Sequence, residues 1–317
     1  MISSFKMLRK AAVRPATVRL TADRCLTVAL WLTAAPCLTA PASAQSGICA
    51  SPVYRATSRA TVGTAALAGN VVLYEYFRAA WWNGQPAAHS WINWEQHEPF
   101  REMDKFGHAF GGYHLARIGG ELLDGACVSR TKAVWWSAAY AAAFQLQIEM
   151  WDGKQAEYGF SPFDLAANTA GAGYAVAQHY ARAFRNVKPT ISYSRTLASR
   201  RFGRAQGSEL RPTTDYSGQT YWLSFDVDAM LPDAAARWWP GFVRASVGHS
   251  ITDYVDPNTG RGLWARREFV LSLDIDPEKL PGQNPLWRQV KHELSYYHFP
   301  APALRLTPTT RGVGWYR

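Results

Sequence analysis

The sequence predicts an α+β protein: a four-helix, partly membrane-like bundle followed by a small antiparallel β-sheet that carries one helix. Three observations predict it. Polar residues recur three or four positions apart within apolar stretches between residues 104 and 173, which is the spacing of one helix face. Small residues recur at fourfold spacing in the same stretches (Gly107 and Gly111, Ala138 and Ala142, Gly171 and Ala175), which lets helices approach closely. Beyond Asn186 the period drops to two: Tyr, Trp, Phe, Val and Leu alternate with Ser, Asp and Arg over 220–227, 242–250 and 268–275, as in half-buried antiparallel strands.

In chain order, residues 1–44 read as a secretory signal peptide. A basic region holding Lys6, Arg9, Lys10, Arg14, Arg19 and Arg24 precedes an apolar run over 25–40 and an Ala42-Ser43-Ala44 cleavage site. Its six cations against Asp23 account for half of the formal net charge of +10, leaving +5 on the mature chain. Cys25 and Cys37 leave with the signal. Cys49 and Cys127 remain, and an oxidising compartment would let them form one disulfide. Neither Cys37 nor Cys49 sits in a lipoprotein cleavage box, so no lipid anchor is expected.

Residues 45–186 are expected to form the helical bundle. The apolar segment 60–82 contains Glu75 and Arg78 and ends in Trp81-Trp82, which suits a helix that is buried or lies near a membrane. A loop over 83–103 carries Trp91 and Trp94. The second helix runs over 104–123 and the third over 132–151; the fourth starts at Ser161 as N-cap, with Pro162 at the first helical position, and continues to about residue 184. The mean hydropathy of −0.22 is not that of a membrane protein. Residues 187–218 should hold a linker and a first strand, with a mobile loop over 198–214, and 219–317 the β-rich part. There Asp256-Pro257-Asn258-Thr259-Gly260 makes a turn and 284–298 an amphipathic helix stopped by the prolines at 300 and 302. A small sheet suits about a hundred residues better than an outer-membrane barrel, which needs at least about eight strands.

The candidate site residues lie on the three later helices. Asp104 and His108 share a face, as do Glu149 and Asp152, and Asp164 and Asn168. His108 is the candidate acid/base or nucleophile with Asp104 orienting it; the structural alternative is a core histidine bonded to a carbonyl. Asp104 also suits a helix cap, and Asp164, third after Ser161, suits the acid of a capping box. Lys105 either binds an anion or neutralises a nearby acid. Glu149 and Asp152 meet the unfavourable end of a helix dipole, which calls for Lys105, Lys154 or a divalent metal beside them. Asn168 on an Ala/Gly face bonds across helices.

At DKFGHAF (104–110), EMWDG (149–153) and GFSPFDLAANTAGAG (159–173) the sequence resembles the YfiM-type predicted periplasmic lipoproteins, a family of bacterial envelope proteins of unknown function. More loosely it resembles the VanZ-like membrane proteins. The segments DYSGQTYWLS, LSLDID and FPAPAL are similar to long members of the first family. The resemblance marks Asp104, Lys105, His108, Glu149, Asp152, Ser161, Asp164 and Asn168 as family positions and implies an exported protein of a Gram-negative periplasm or envelope. It implies no activity.

Two functions fit these residues. The preferred one is a non-catalytic envelope protein, structural or ligand-binding, whose polar constellation is a buried network. The alternative is a metal-assisted hydrolase or transferase acting on an amphiphilic envelope substrate, with Asp104, Lys105 and His108 catalytic and Glu149 and Asp152 holding the divalent metal. No nucleophile elbow, P-loop, zincin helix or dinucleotide fingerprint is present. The expected partners are envelope lipid or a membrane surface. A charge of +5 on an exported chain makes no case for nucleic acid.

Overall fold

The computed structural model describes residues 47–82, 84–95, 99–202 and 212–316. The signal peptide expected over 1–44 lies outside the described residues. Four long helices come first: α1 (Pro52–Ala80), α2 (Met103–Gly125), α3 (Arg130–Asp152) and α4 (Pro162–Tyr180). Local chemistry sets their starts. Ser51 Oγ accepts the Tyr54 N–H at 3.3 Å ahead of Pro52, and Ser161 Oγ accepts the Asp164 N–H at 3.0 Å ahead of Pro162. α2 begins one residue before Asp104, after Glu102 in the left-handed region (φ 60°), so Asp104 stands in the first turn and not at the cap. α4 ends earlier than the pattern suggests, because Ala181 is extended and Arg182–Arg185 forms a separate turn.

The tight core belongs to three helices, not four. Ala116 of α2, Ala138 and Ala141 of α3, and Ala172 and Val176 of α4 pack together. α2 and α4 touch backbone to backbone: a Cβ on Gly171 would fall onto the Ala109 carbonyl, and one on Gly112 onto the Asn168 carbonyl. α1 lies outside this core and buries none of its residues. It leans on α3 through Tyr74 against Trp151 (5.2 Å between ring centres) and Phe77 against Phe144 (6.4 Å). A disulfide joins Cys49, ahead of α1, to Cys127, just after α2. Arg59 donates beside it to the Ala126 and Cys127 carbonyls at 3.3 and 2.8 Å. The burial expected as one option for 60–82 is not found; Leu67 and Val71 are 73 and 63 % exposed. Among the described residues, no helix is long and apolar enough to cross a membrane.

The rest is a six-stranded antiparallel meander: β1 (Val187–Tyr193), β2 (Gln219–Phe225), β3 (Val243–Ile251), β4 (Arg267–Ile275), β5 (Ala301–Arg305) and β6 (Arg311–Tyr316), in that spatial order. Strands β5 and β6 escaped the sequence reading, which took the prolines only as a stop. Pro302 is accommodated where the β5–β6 register shifts between Ala301 and Ala303. Helix α5 (Pro285–Leu294) is capped by Asn284 but stops before 298. Its continuation turns to pair with β1, where Ile191 N–H bonds the Tyr296 carbonyl at 3.1 Å and His298 N–H bonds the Ile191 carbonyl at 3.0 Å. Of the expected mobile loop, Leu197–Phe202 is helical with Ala198 and Ser199 buried, and 203–211 lies outside the described residues.

The alternation in the strands is real, but the polar side is the buried one. On β4, Glu268, Val270, Ser272 and Asp274 are buried, while Phe269, Leu271, Leu273 and Ile275 are 38–44 % exposed. Hydroxyls and an ion pair on the inner face satisfy one another, while Arg244 Nε and both ring nitrogens of His298 are buried without a hydrogen-bond partner. Ser224 Oγ joins Thr190 Oγ1 at 2.9 Å and Ser246 Oγ at 2.8 Å, and donates to Asp274 at 3.2 Å; Arg244 is ion-paired to Asp274 at 2.5 Å and donates to the Ser295 carbonyl. Trp222 lies among these groups with its Nε1 on Ser192 Oγ at 2.9 Å, His298 stacked on it at 3.8 Å, and Gly248 opposite, where any Cβ would strike the indole. Each of these named hydroxyls has a partner, which offsets the usual penalty for burying it.

The helix crossing yields a paired test. Gly171→Ala should destabilise the protein by about 3 kcal/mol, the upper range for overpacking a rigid contact. Gly173→Ala, with open space around its Cβ, should be neutral or stabilising by about 0.5–1 kcal/mol through helix propensity. Urea melts of the two variants beside the parent measure the difference, and equal effects would contradict the backbone contact.

Candidate functional site

The α2–α4 contact brings the motif residues together at one end of the three-helix core. The first turn of α2 supplies Asp104 and Lys105, and the next turn His108. α4 supplies Asp164 from its first turn and Asn168 from the next, and α3 supplies Glu149 from its last turn. Glu149 and Asn168 have no exposed surface, and Asp164 is 6 % exposed.

A hydrogen-bonded chain runs through them. His108 Nδ1 lies 3.0 Å from Asn168 Oδ1, and Asn168 Nδ2 donates to Glu149 Oε1 at 3.4 Å. The second oxygen of Glu149 accepts the Ser161 backbone N–H at 3.3 Å. Ser161 thus gives its N–H to Glu149 while its hydroxyl caps α4, and the carboxylate of Asp164 is free to turn inward. His108 Nε2 faces Asp104 and Asp164, each 3.7 Å away. Lys105 Nζ lies 2.5 Å from Glu95, 2.7 Å from Asp164 and 2.9 Å from Asp104. The contact with Asp164 is an ion pair and not a well-angled hydrogen bond, since Asp164 Oδ1 has no partner of standard geometry.

Three further groups join the site, none of them marked by local spacing. Glu95 comes from the loop before α2, its backbone in the left-handed region (φ 46°) and its N–H on Asn93 Oδ1 at 2.9 Å. Tyr216, ahead of β2, donates to Asp104 at 3.1 Å. Tyr221 of β2 has its hydroxyl against Gly107 of α2. Tyr216 and Tyr221 lie more than a hundred residues further along the chain, and Glu95 lies in an aperiodic loop, so local spacing marks none of them. Asp152 is not drawn into the cluster; it accepts the Trp82 indole N–H at 2.5 Å. Lys154 does not neutralise it but lies over the Trp151 ring at 4.3 Å.

The electrostatics follow from burial and neighbours. Burial, with Asp164 and Asp152 nearby, pushes the Glu149 carboxyl up to about 8 against the pull of His108. Burial and the charge of Asp104 push Asp164 to about 7. Burial lifts Asp152 to about 6 despite the bond from Trp82. Burial opposes ionisation of Asp104 as well, but His108, Lys105 and Tyr216 hold it below its usual value. His108 is penalised by burial yet raised by Asp104, Asp164 and Glu149, and Lys105 is raised by Asp104 and Asp164 against the same penalty. Burial thus favours the protonated form of Glu149, whereas the neighbouring cations favour the ionised form of Asp104. A metal ion is also geometrically conceivable here: one ligand atom each from Asp104, His108 and Asp164 lies within 4.8 Å of the others.

Fold and site together define an α+β protein with a buried acid–base cluster at the meeting point of three helices. Residues 93–180 match the family described as predicted periplasmic lipoprotein (DUF2279). That match contains all eight motif residues, and its description agrees with an exported protein of the periplasm or envelope. It names no activity and lends nothing to the looser VanZ likeness. No curated protein and no solved structure matches the chain.

The raised carboxyls make stability depend on pH. Glu149 rises from 4.5 to about 8 and Asp164 from 3.8 to about 7, so between those values the folded state holds protons that the unfolded state has lost. Stability must then fall as pH rises through this window. His108, raised above 6.5, adds a loss of the same sign, while Asp104, lowered from 3.8, loses its contribution only in acid. Urea midpoints should decline from pH 5 to pH 8, with Glu149→Gln recovering of order 2 kcal/mol at pH 8 and little at pH 5. An unchanged slope in the variant would remove Glu149 from this account.

Proposed function

We propose that this protein is a structural or ligand-binding protein of the cell envelope, in which the cluster is a buried ion-pair and hydrogen-bond network fixing the mutual register of α2, α3 and α4. The observation that carries this reading is the position of Lys105. Its ammonium lies within 2.9 Å of three carboxylates, Glu95, Asp164 and Asp104, and so fills the place between acids that a divalent cation would take. His108 is held in the same way, by Asn168 on one nitrogen and two carboxylates facing the other. Networks satisfied to this degree specify a unique packing.

One observation favours a second reading, a metal-assisted hydrolase or transferase acting on an amphiphilic envelope substrate: the reach of Asp104, His108 and Asp164 toward a common point. In that case Asp104, Asp164 and His108 would hold the ion, with Lys105 moved off the acids, and the ion would supply Lewis-acid chemistry.

Elemental mass spectrometry of the mature chain from Gln45, beside Asp164→Asn and His108→Asn, separates the two. The network reading expects no stoichiometric metal in any of them. It also expects His108→Asn to fold with a loss of about 1–2 kcal/mol, since an amide can still bond Asn168. Near-stoichiometric Zn, Mn or Fe in the parent, lost in Asp164→Asn, would replace the network reading with the metal one.

A further inference from the structure

The sheet is built inside out for a protein surrounded by water. Its enclosed face is lined by hydroxyls and an Arg244–Asp274 ion pair, whereas Leu223, Val247, Leu271, Leu273, Ile275 and Leu304 stand on the opposite face at 38–46 % exposure. The register makes this one continuous patch: Leu223 sits beside Val247, Val247 beside Leu271, and Leu271 beside Leu304 across four neighbouring strands. The helices cover only the margin of the face, where Phe106 and Phe110 of α2 pack on Tyr221 and Phe106 also stacks on His249. Contiguous apolar surface of this kind marks an interaction site, and apolar-out, polar-in alternation is the pattern of strands that face lipid.

The ends of the strands supply a second, independent observation. At the β3–β4 turn Trp264 is 57 % exposed, and Arg261, Arg266 and Arg311 are exposed at the same end. At the other end, Trp238 is 79 % and Trp315 77 % exposed, with the Arg237 guanidinium 5.3 Å from the Trp238 ring centre. The outward positions of β4 from Phe269 to Ile275 span about 20 Å, comparable with the roughly 25 Å apolar band of membrane strands. An apolar band with indoles at both ends and arginines beside them is ordered as a bilayer is ordered, from headgroup to acyl chain to headgroup. The net charge of +5 outside the expected signal peptide complements anionic headgroups.

We propose that the outer face of β2–β5 lies against the acyl chains of an envelope bilayer, with the Trp and Arg groups at the strand ends in its headgroup layers. Six strands are fewer than a closed membrane barrel requires, so the described sheet offers the lipid one face, and α2 occupies the margin of that face. The proposal is independent of whether the helical cluster binds a metal.

The test uses the mature chain, whose two cysteines are joined to each other. Leu223→Cys, Leu271→Cys and Leu304→Cys, with Asn258→Cys in the β3–β4 turn as control, are labelled with a solvent-sensitive fluorophore. They are then mixed with vesicles of phosphatidylcholine and phosphatidylglycerol. The three sheet labels should shift to the blue and be quenched by nitroxide-bearing acyl chains but not by iodide, and the control should be quenched by iodide alone. Leu271→Arg and Leu273→Arg should each lower the vesicle-bound to free ratio by about 30-fold, the penalty for a cation at the lipid face. Three results would overturn the proposal: iodide quenching at all four positions; failure of the parent to float with vesicles; or labels shielded from both quenchers in a dimer of defined mass, which would assign the face to a second copy of the chain.

Discussion

The backbone contact between α2 and α4 governs the rest of the molecule. With no Cβ at Gly112 or Gly171, each helix rests on a carbonyl of the other, so both their separation and their axial register are fixed. Asp104, Lys105 and His108 hang from one of these helices and Asp164 and Asn168 from the other. Their mutual distances are therefore a property of the crossing before they are a property of the side chains. Ions placed this close bear heavy desolvation costs unless geometry is good, and the rigid crossing supplies that geometry.

α2 is also where helices and sheet meet. Its start is fastened by Tyr216 on Asp104 and by the ion pair of Glu102 with Arg267. Its later turns are fastened by Arg117, which lies 3.0 Å from both Glu121 and Glu293 and 4.0 Å from the centre of the Tyr296 ring. His292 bridges Glu121 and Glu278 at the same place and is raised to about 9, the two carboxylates outweighing its burial. Glu121, His292 and Glu293 come close enough for a metal ion, but Arg117 already supplies the positive charge between the two acids. In both acidic clusters, then, a side chain of α2 provides the compensating cation.

Local signals made much of this legible. Ser161-Pro162 located the start of α4, and the spacing of Asp104 with His108 and of Asp164 with Asn168 foretold two faces that do meet. The sequence could not show that Tyr216 would complete the site, because nothing local records a contact made across a hundred residues, and Glu95, though ten residues from Lys105, lies in a loop whose path no periodicity sets. Asp152 misled because proximity in sequence to Glu149 does not guarantee a shared direction: one continues inward, the other turns to Trp82. The sheet is the most instructive case. Alternation over 268–275 fixed which residues share a side, but a period of two carries no sign, and the side that is buried depends on what the sheet encloses. Ordinary expectation places Leu and Phe inside; here Ser, Thr, Arg and Asp satisfy one another there.

The Cys49–Cys127 bond ties the attachment of α1 to the redox state of its surroundings. The two thiols are joined only where they can be oxidised, and the bond ties down the one long helix that contributes nothing buried to the core. Besides that bond, α1 is held by Arg59, by the Tyr140 hydroxyl on the Ala66 carbonyl, by Tyr76 on Thr213 and by ring contacts with α3. Attachment of this helix is thus reinforced covalently only where the two thiols can be oxidised.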